Sequence, residues 1–151
     1  METKEIQAKK VFVAKLKTTL KTIAQESEPV LNALMQDVEK FGIAPAGPLE
    51  YIYFGATNDL DKEFDLTIAL PVTADAKADE STFSIEEAEA FKCATQVYEG
   101  HLDNMMSTYD ELFKELDWNK IEPTDQIREV YQKWEGLSSD KNIVEIQIGI
   151  N

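Results

Sequence analysis

The feature that most constrains this chain is an internal likeness at a fixed spacing. Pro45 and Pro123 stand 78 residues apart, and so do Tyr53 and Tyr131. The same spacing lays Leu31, Leu34, Met35 and Val38 onto Tyr109, Leu112, Phe113 and Leu116. It also lays Leu66, Ile68 and Leu70 onto Val144, Ile146 and Ile148. The first strand of each half needs a shift of about 80 residues, a small insertion. Apolar periodicity alone can coincide by chance. A helix, a proline, a tyrosine and a final strand in one ungapped register are a stricter coincidence. Each half therefore reads strand–helix–strand–strand. One such unit buries one face of a small sheet, and two can cover each other about a pseudo-twofold axis. The expected fold is α+β, a duplicated β-α-β-β unit with a central ligand cleft. A single domain over residues 1–151 divides into half one at about 1–72, a connector at 73–81 and half two at 82–151.

The elements follow from local pattern. Val11-Phe12-Val13 is a β-branched and aromatic run that predicts a strand. From Ser27 onward, with Pro29 suited to a first helical turn, Val30, Leu31, Leu34, Met35 and Val38 form one helical stripe. Gly42 stops it. Leu49 to Phe54 and Asp65 to Leu70 predict strands, the second closed by Pro71. Glu89 to Val97 predicts another. Leu102, Met105, Met106, Tyr109, Leu112, Phe113 and Leu116 form a second helical stripe, which Pro123 breaks. Ile127 to Tyr131 and Ile143 to Ile150 predict the last two strands, joined by a loop from Glu135 to Asn142.

Charge and composition narrow the function. The chain of 151 residues carries 29 acidic and 15 basic residues, a formal net charge of −14. Such a field repels phosphate backbones, so no direct nucleic-acid partner is expected. It suits cationic ligands or a basic protein partner. Cys93 is the only cysteine, which excludes an intramolecular disulfide and suits a reducing compartment. The longest early apolar run, Val11 to Ala14, is far too short to span a bilayer. A cytoplasmic protein without membrane contact is expected. His101 is the only histidine and has no cysteine cluster beside it, so neither a metal site nor a catalytic triad is expected. Gly42 and Gly47 lack the spacing of a nucleotide loop, so no cofactor is expected.

The candidate site comes from strand alternation. Leu49, Tyr51 and Tyr53 share one strand face, and the repeat matches them to Ile127, Glu129 and Tyr131. If those faces line a cleft, it holds three tyrosines and one carboxylate. Glu129 is the sharpest residue, because its counterpart is Tyr51 and the repeat demands no acid there. A carboxylate among aromatic rings meets a cationic or hydrogen-bond-donating ligand. The plainer alternatives are an exposed sheet face for Glu129 and core positions for the tyrosines. Trp118 follows a helix and forms either a wall of the cleft or a cap of the core. Trp134 reads as structural or rim, His101 as a loop or helix-start residue, and Cys93 as a buried small hydrophobe.

Several segments carry a resemblance in order and spacing across nearly the whole chain. They are Gly42-Ile43-Ala44-Pro45-Ala46-Gly47-Pro48, Phe64 to Val72, Val97-Tyr98-Glu99-Gly100, Tyr109 to Trp118, Arg128-Glu129-Val130-Tyr131 and Val144 to Ile148. Together they resemble the GyrI-like small-molecule-binding domain family. That family includes effector-binding domains of multidrug-responsive and AraC-type transcription regulators. The resemblance implies a duplicated β-α-β-β fold with a ligand cleft between halves. Two departures stand out: Gly100-His101-Leu102, where the family usually carries a tyrosine, and Asn119 after Trp118, where an apolar residue often follows. The length leaves no room for a helix-turn-helix domain, so a stand-alone member is expected. The resemblance implies a binder of small hydrophobic, cationic or aromatic molecules at Glu129, Tyr131, Tyr51, Tyr53 and Trp118. A hydrolase of cyclopropane-bearing alkylating natural products would use the same cleft, with Glu129 and Tyr131 activating water. An acidic inhibitor of a basic target such as gyrase is a third class. A protein partner or a homodimer is compatible with each.

Overall fold

The computed structural model describes residues 1–151. In chain order the elements are β1 (Glu2–Ile6), β2 (Lys9–Thr18), α1 (Ile23–Lys40), β3 (Glu50–Phe54), β4 (Phe64–Pro71) and β5 (Ser84–Ala88). Then come β6 (Phe91–Glu99), α2 (Met105–Trp118) entered by one 3-10 turn, β7 (Pro123–Lys133) and β8 (Ile143–Ile150). The fold class is α+β, with antiparallel strands throughout.

Two compact units emerge, and they cut across the halves read from the sequence. The first is Ala8–Glu89; the second joins Met1–Gln7 to Ala90–Asn151. The first unit orders its strands β3-β4-β2-β5, and the second β1-β6-β8-β7. So β1 pairs with β6, and β5 pairs with β2. Each outer strand belongs by sequence to the other half.

Within each unit the register repeats. Tyr53 lies opposite Leu66 and Tyr51 opposite Ile68; Tyr131 lies opposite Val144 and Glu129 opposite Ile146. These pairs differ by the same 78 residues that align the two halves of the sequence. The second unit buries Val144, Ile146, Ile148 and Ile150 against Met105, Leu112 and Leu116 of α2. In the first unit the Tyr51 hydroxyl reaches Ser27 of α1, which sets the Tyr51–Ile68 face beneath that helix. The opposite face of that sheet holds its own cluster of Val11, Val13, Ile52 and Ala69.

Three boundaries differ from the sequence reading, each for a local reason. Helix α1 starts at Ile23, four residues before Ser27, so Pro29 lies in its second turn. There Pro29 removes one helical hydrogen bond. The added turn is held by Glu26, whose carboxylate accepts the Thr22 and Thr18 hydroxyls at 2.5 and 2.7 Å. Strand β7 starts at Pro123, which the sequence reading took as a break. Pro123 occupies the first position, opposite Ile150, where a missing N–H costs least, and an irregularity follows before Ile127. The strand expected from Glu89 begins two residues later, as β6 at Phe91, and β5 precedes it, ending at Ala88.

Candidate functional site

Glu129 lies in the middle of β7, only 4% exposed. Its Oε1 accepts the Tyr131 hydroxyl at 2.7 Å, and its Oε2 accepts the Tyr109 hydroxyl at 2.5 Å. Tyr131 reaches it because residues two apart in a strand share a face. Tyr109 reaches it from α2, which packs on that face. Each carboxylate oxygen thus takes a hydroxyl from a different element. The floor is apolar: Ile146 is the direct cross-strand neighbour, and Ile127 lies on the same face. Removing a carboxylate from water is costly unless donors replace the solvent, and hydroxyl bonds to an anion are among the stronger ones. The Trp134 ring meets Tyr131 edge-on, with centroids 5.3 Å apart and planes at 79°.

The structure brings Glu129 and Tyr131 together. Tyr51 and Tyr53 belong to the first unit. Tyr51 donates to Ser27 Oγ at 3.2 Å. Tyr53 is buried, its ring 5.5 Å from that of Phe64. Trp118 is 86% exposed, so it does not cap the core. It lies about two and a half helical turns beyond Tyr109, which turns it to the opposite side of α2. Tyr109 is the residue that the sequence reading missed. It sits inside a stripe of Leu, Met and Phe, where a tyrosine reads as core, and only packing reveals that its hydroxyl meets Glu129.

The other face of the same strands carries a second buried polar set. Lys4 pairs with Glu145 at 2.7 Å, and Gln147 donates to Glu145 at 2.5 Å. Burial alone would raise the Glu145 carboxyl. Hydrogen bonds from Lys4 and Gln147, with the Lys4 charge, outweigh it and hold the carboxyl below the ordinary glutamate value. The hydrogen bond to Glu145 raises Lys4 in turn. The Arg128 guanidinium lies 4.1 Å from the centre of the Phe91 ring, and its Nε donates to Gln126 at 2.9 Å. Burial pushes the Cys93 thiol up to about 11. No group of three or more His, Cys, Asp and Glu side chains comes together as a metal centre requires. No helix is long and apolar enough to cross a membrane.

No protein-family profile matches the chain, and no curated protein matches its sequence. Solved structures do share the fold. The EcmrR C-terminal domain superposes with a TM-score of 0.79 at 19% identity, over 99% of this chain and 96% of that one. The same likeness covers 56% of the EcmrR chain solved in an EcmrR–DNA complex, so this chain spans a little over half of it. SAV2435 bound to tetraphenylphosphonium gives 0.67 at 15% identity, over 99% and 93%. A hydrolase from Listeria innocua gives 0.63 at 12%, over 99% and 92%. Near-complete coverage in both directions, together with the order of the strands and helices, identifies the architecture. The chain has the GyrI-like fold that its sequence resembles, the fold of the EcmrR C-terminal domain.

Proposed function

We propose that this protein binds small lipophilic cations, which it takes at the Glu129 carboxylate. The observation that carries the reading is a carboxylate 4% exposed on which two tyrosine hydroxyls converge. An organic cation gains charge complementarity from Glu129 and π surface from Tyr109, Tyr131 and Trp134. A buried carboxylate is screened far less by salt than the surface acids. SAV2435, which shares the fold, was solved with a cation of this class.

The test compares tetraphenylphosphonium with tetraphenylborate, an anion of the same shape, by calorimetric titration at low and high salt. The cation is expected to bind and the anion is not. Glu129→Gln should cost the cation roughly 2–3 kcal/mol, the attraction of two unit charges about 6–8 Å apart at an effective dielectric constant of about 20, and that loss should persist at high salt. Tyr131→Phe should cost less, because the ring stays. Equal binding by the parent and Glu129→Gln at high salt removes the carboxylate as the recognition element.

A second reading rests on the same three groups. A carboxylate between two phenols is also an acid–base set, with Glu129 placed to take a proton from water and a tyrosine to give one to a leaving group. A cyclopropane-bearing alkylating compound is the substrate class. Hydrolytic turnover that Glu129→Gln abolishes would establish it, and binding without turnover would exclude it.

A further inference from the structure

We infer that Asn142 is the positioning residue of the Glu129 site: it clasps the β7–β8 loop so that Trp134 holds Tyr131 against the carboxylate. This rests on the binding function proposed above. Asn142 is 1% exposed, unusual for an amide in a hairpin loop. Its Oδ1 accepts the Glu135 N–H at 2.7 Å. Its Nδ2 donates to the Gly136 carbonyl at 2.6 Å and to the Ser139 carbonyl at 3.3 Å. One side chain therefore fixes three backbone points of the loop and replaces the ladder that the hairpin lacks there.

The loop begins at Trp134, directly before the first of those points. The Trp134 ring supports Tyr131, and the Tyr131 hydroxyl engages Glu129 Oε1. The clasped loop also reaches the other side of the site through its main chain. The Asn142 carbonyl accepts the Gly100 N–H at 3.0 Å, and the Leu137 carbonyl accepts the Leu102 N–H at 3.2 Å. Gly100 to Leu102 is the segment that leads into α2, which carries Tyr109. There the Tyr98 hydroxyl donates to the His101 carbonyl. Gly100 itself, at φ +134°, adopts a backbone that side chains disfavour. So the side chain of Asn142 fixes the loop after Tyr131, and the loop it fixes presents main-chain carbonyls to the segment leading to Tyr109. A preorganised site avoids ordering its side chains when the ligand arrives, and affinity gains accordingly.

The experiment uses the full chain in a Trp118→Phe background. Trp118 lies on the side of α2 away from Tyr109, and its replacement leaves Trp134 as the only indole. Asn142→Ala is titrated with tetraphenylphosphonium at a temperature where far-ultraviolet circular dichroism shows it folded. The expected result is affinity about fivefold to tenfold weaker, the loss matching one or two uncompensated hydrogen bonds. Trp134 emission should shift to the red and quench more readily with acrylamide. A purely structural amide would lower the melting temperature yet leave affinity and Trp134 emission of the folded protein unchanged, and that result overturns the inference. Ser139→Ala, which removes only surface loop contacts, should bind as the background does. Asn142→Ser, milder than alanine, should show the same changes at smaller size, and wild-type affinity there also overturns the inference. Absence of binding in the background protein itself would instead reject the binding function and the positioning role with it.

Discussion

Glu129 and Glu145 occupy opposite faces of adjoining strands and show how company decides what a buried acid does. Glu129 meets two tyrosine hydroxyls; Glu145 meets an ammonium and an amide. The Glu145 carboxyl has its folded value below the ordinary 4.5, so it adds stability above that pH and loses it as pH falls through the lowered value. Lys4, raised above 10.5, adds stability below that pH and loses it as alkali deprotonates it. We expect Lys4→Met to flatten the acid arm of the stability–pH curve, followed by urea unfolding below about pH 4.5. Parallel curves for the two proteins would deny the coupling. Cys93, buried and pushed to about 11, should resist a thiol reagent at neutral pH until the chain unfolds. Labelling of the native protein at the rate of a free thiol would contradict its placement. Glu129 was legible in the sequence because the repeat supplied Tyr51 as its reference. Tyr109 and Asn142 were not, since nothing local marks a tyrosine in an apolar stripe or an amide in a loop as buried against a particular partner.

At the scale of elements, alternation and helical stripes placed β3, β4, α2 and β8 closely, because each buries a regular apolar face. Strands β1 and β5 escaped. Their sequences, Glu2 to Ile6 and Ser84 to Ala88, are charged outer strands with no apolar alternation to detect. The prolines misled in a consistent direction. Pro29 and Pro123 each appeared to set a boundary, and in each case tertiary contacts carried the element through or up to the ring. The irregular start of β7 bears a direct prediction. A Cβ on Gly149 would lie 2.2 Å from Thr124 Oγ1 and 2.9 Å from the Gln126 carbonyl. Gly149→Ala should therefore destabilise by about 1–3 kcal/mol, the usual cost of overfilling a packed site. Urea denaturation measures it, and an unchanged midpoint would mean that the start of β7 yields without cost.

Over the whole molecule, a net charge of −14 sets like charges against one another in the compact state. The exposed pairs Lys15–Glu86 and Lys17–Asp65 offset little of this, since such pairs contribute at most about 1 kcal/mol. Raising sodium chloride from about 20 to 200 mM should raise the melting temperature, as screening relieves the repulsion. A fall would show that the ion pairs outweigh it. The exchange of outer strands has another consequence, which concerns time. Glu2 lies opposite Thr95, and Ile6 opposite Phe91. Strand β1 must therefore wait while the entire Ala8–Glu89 unit is made before its partner exists. Pairings so distant along the chain form late, because closing the long intervening loop is entropically costly. A waiting strand with an open backbone edge invites the wrong neighbour. Glu2, Lys4 and Glu5 keep this one hydrated and unattractive through the delay, so the charges that hide β1 from a reader of the sequence also protect it during synthesis.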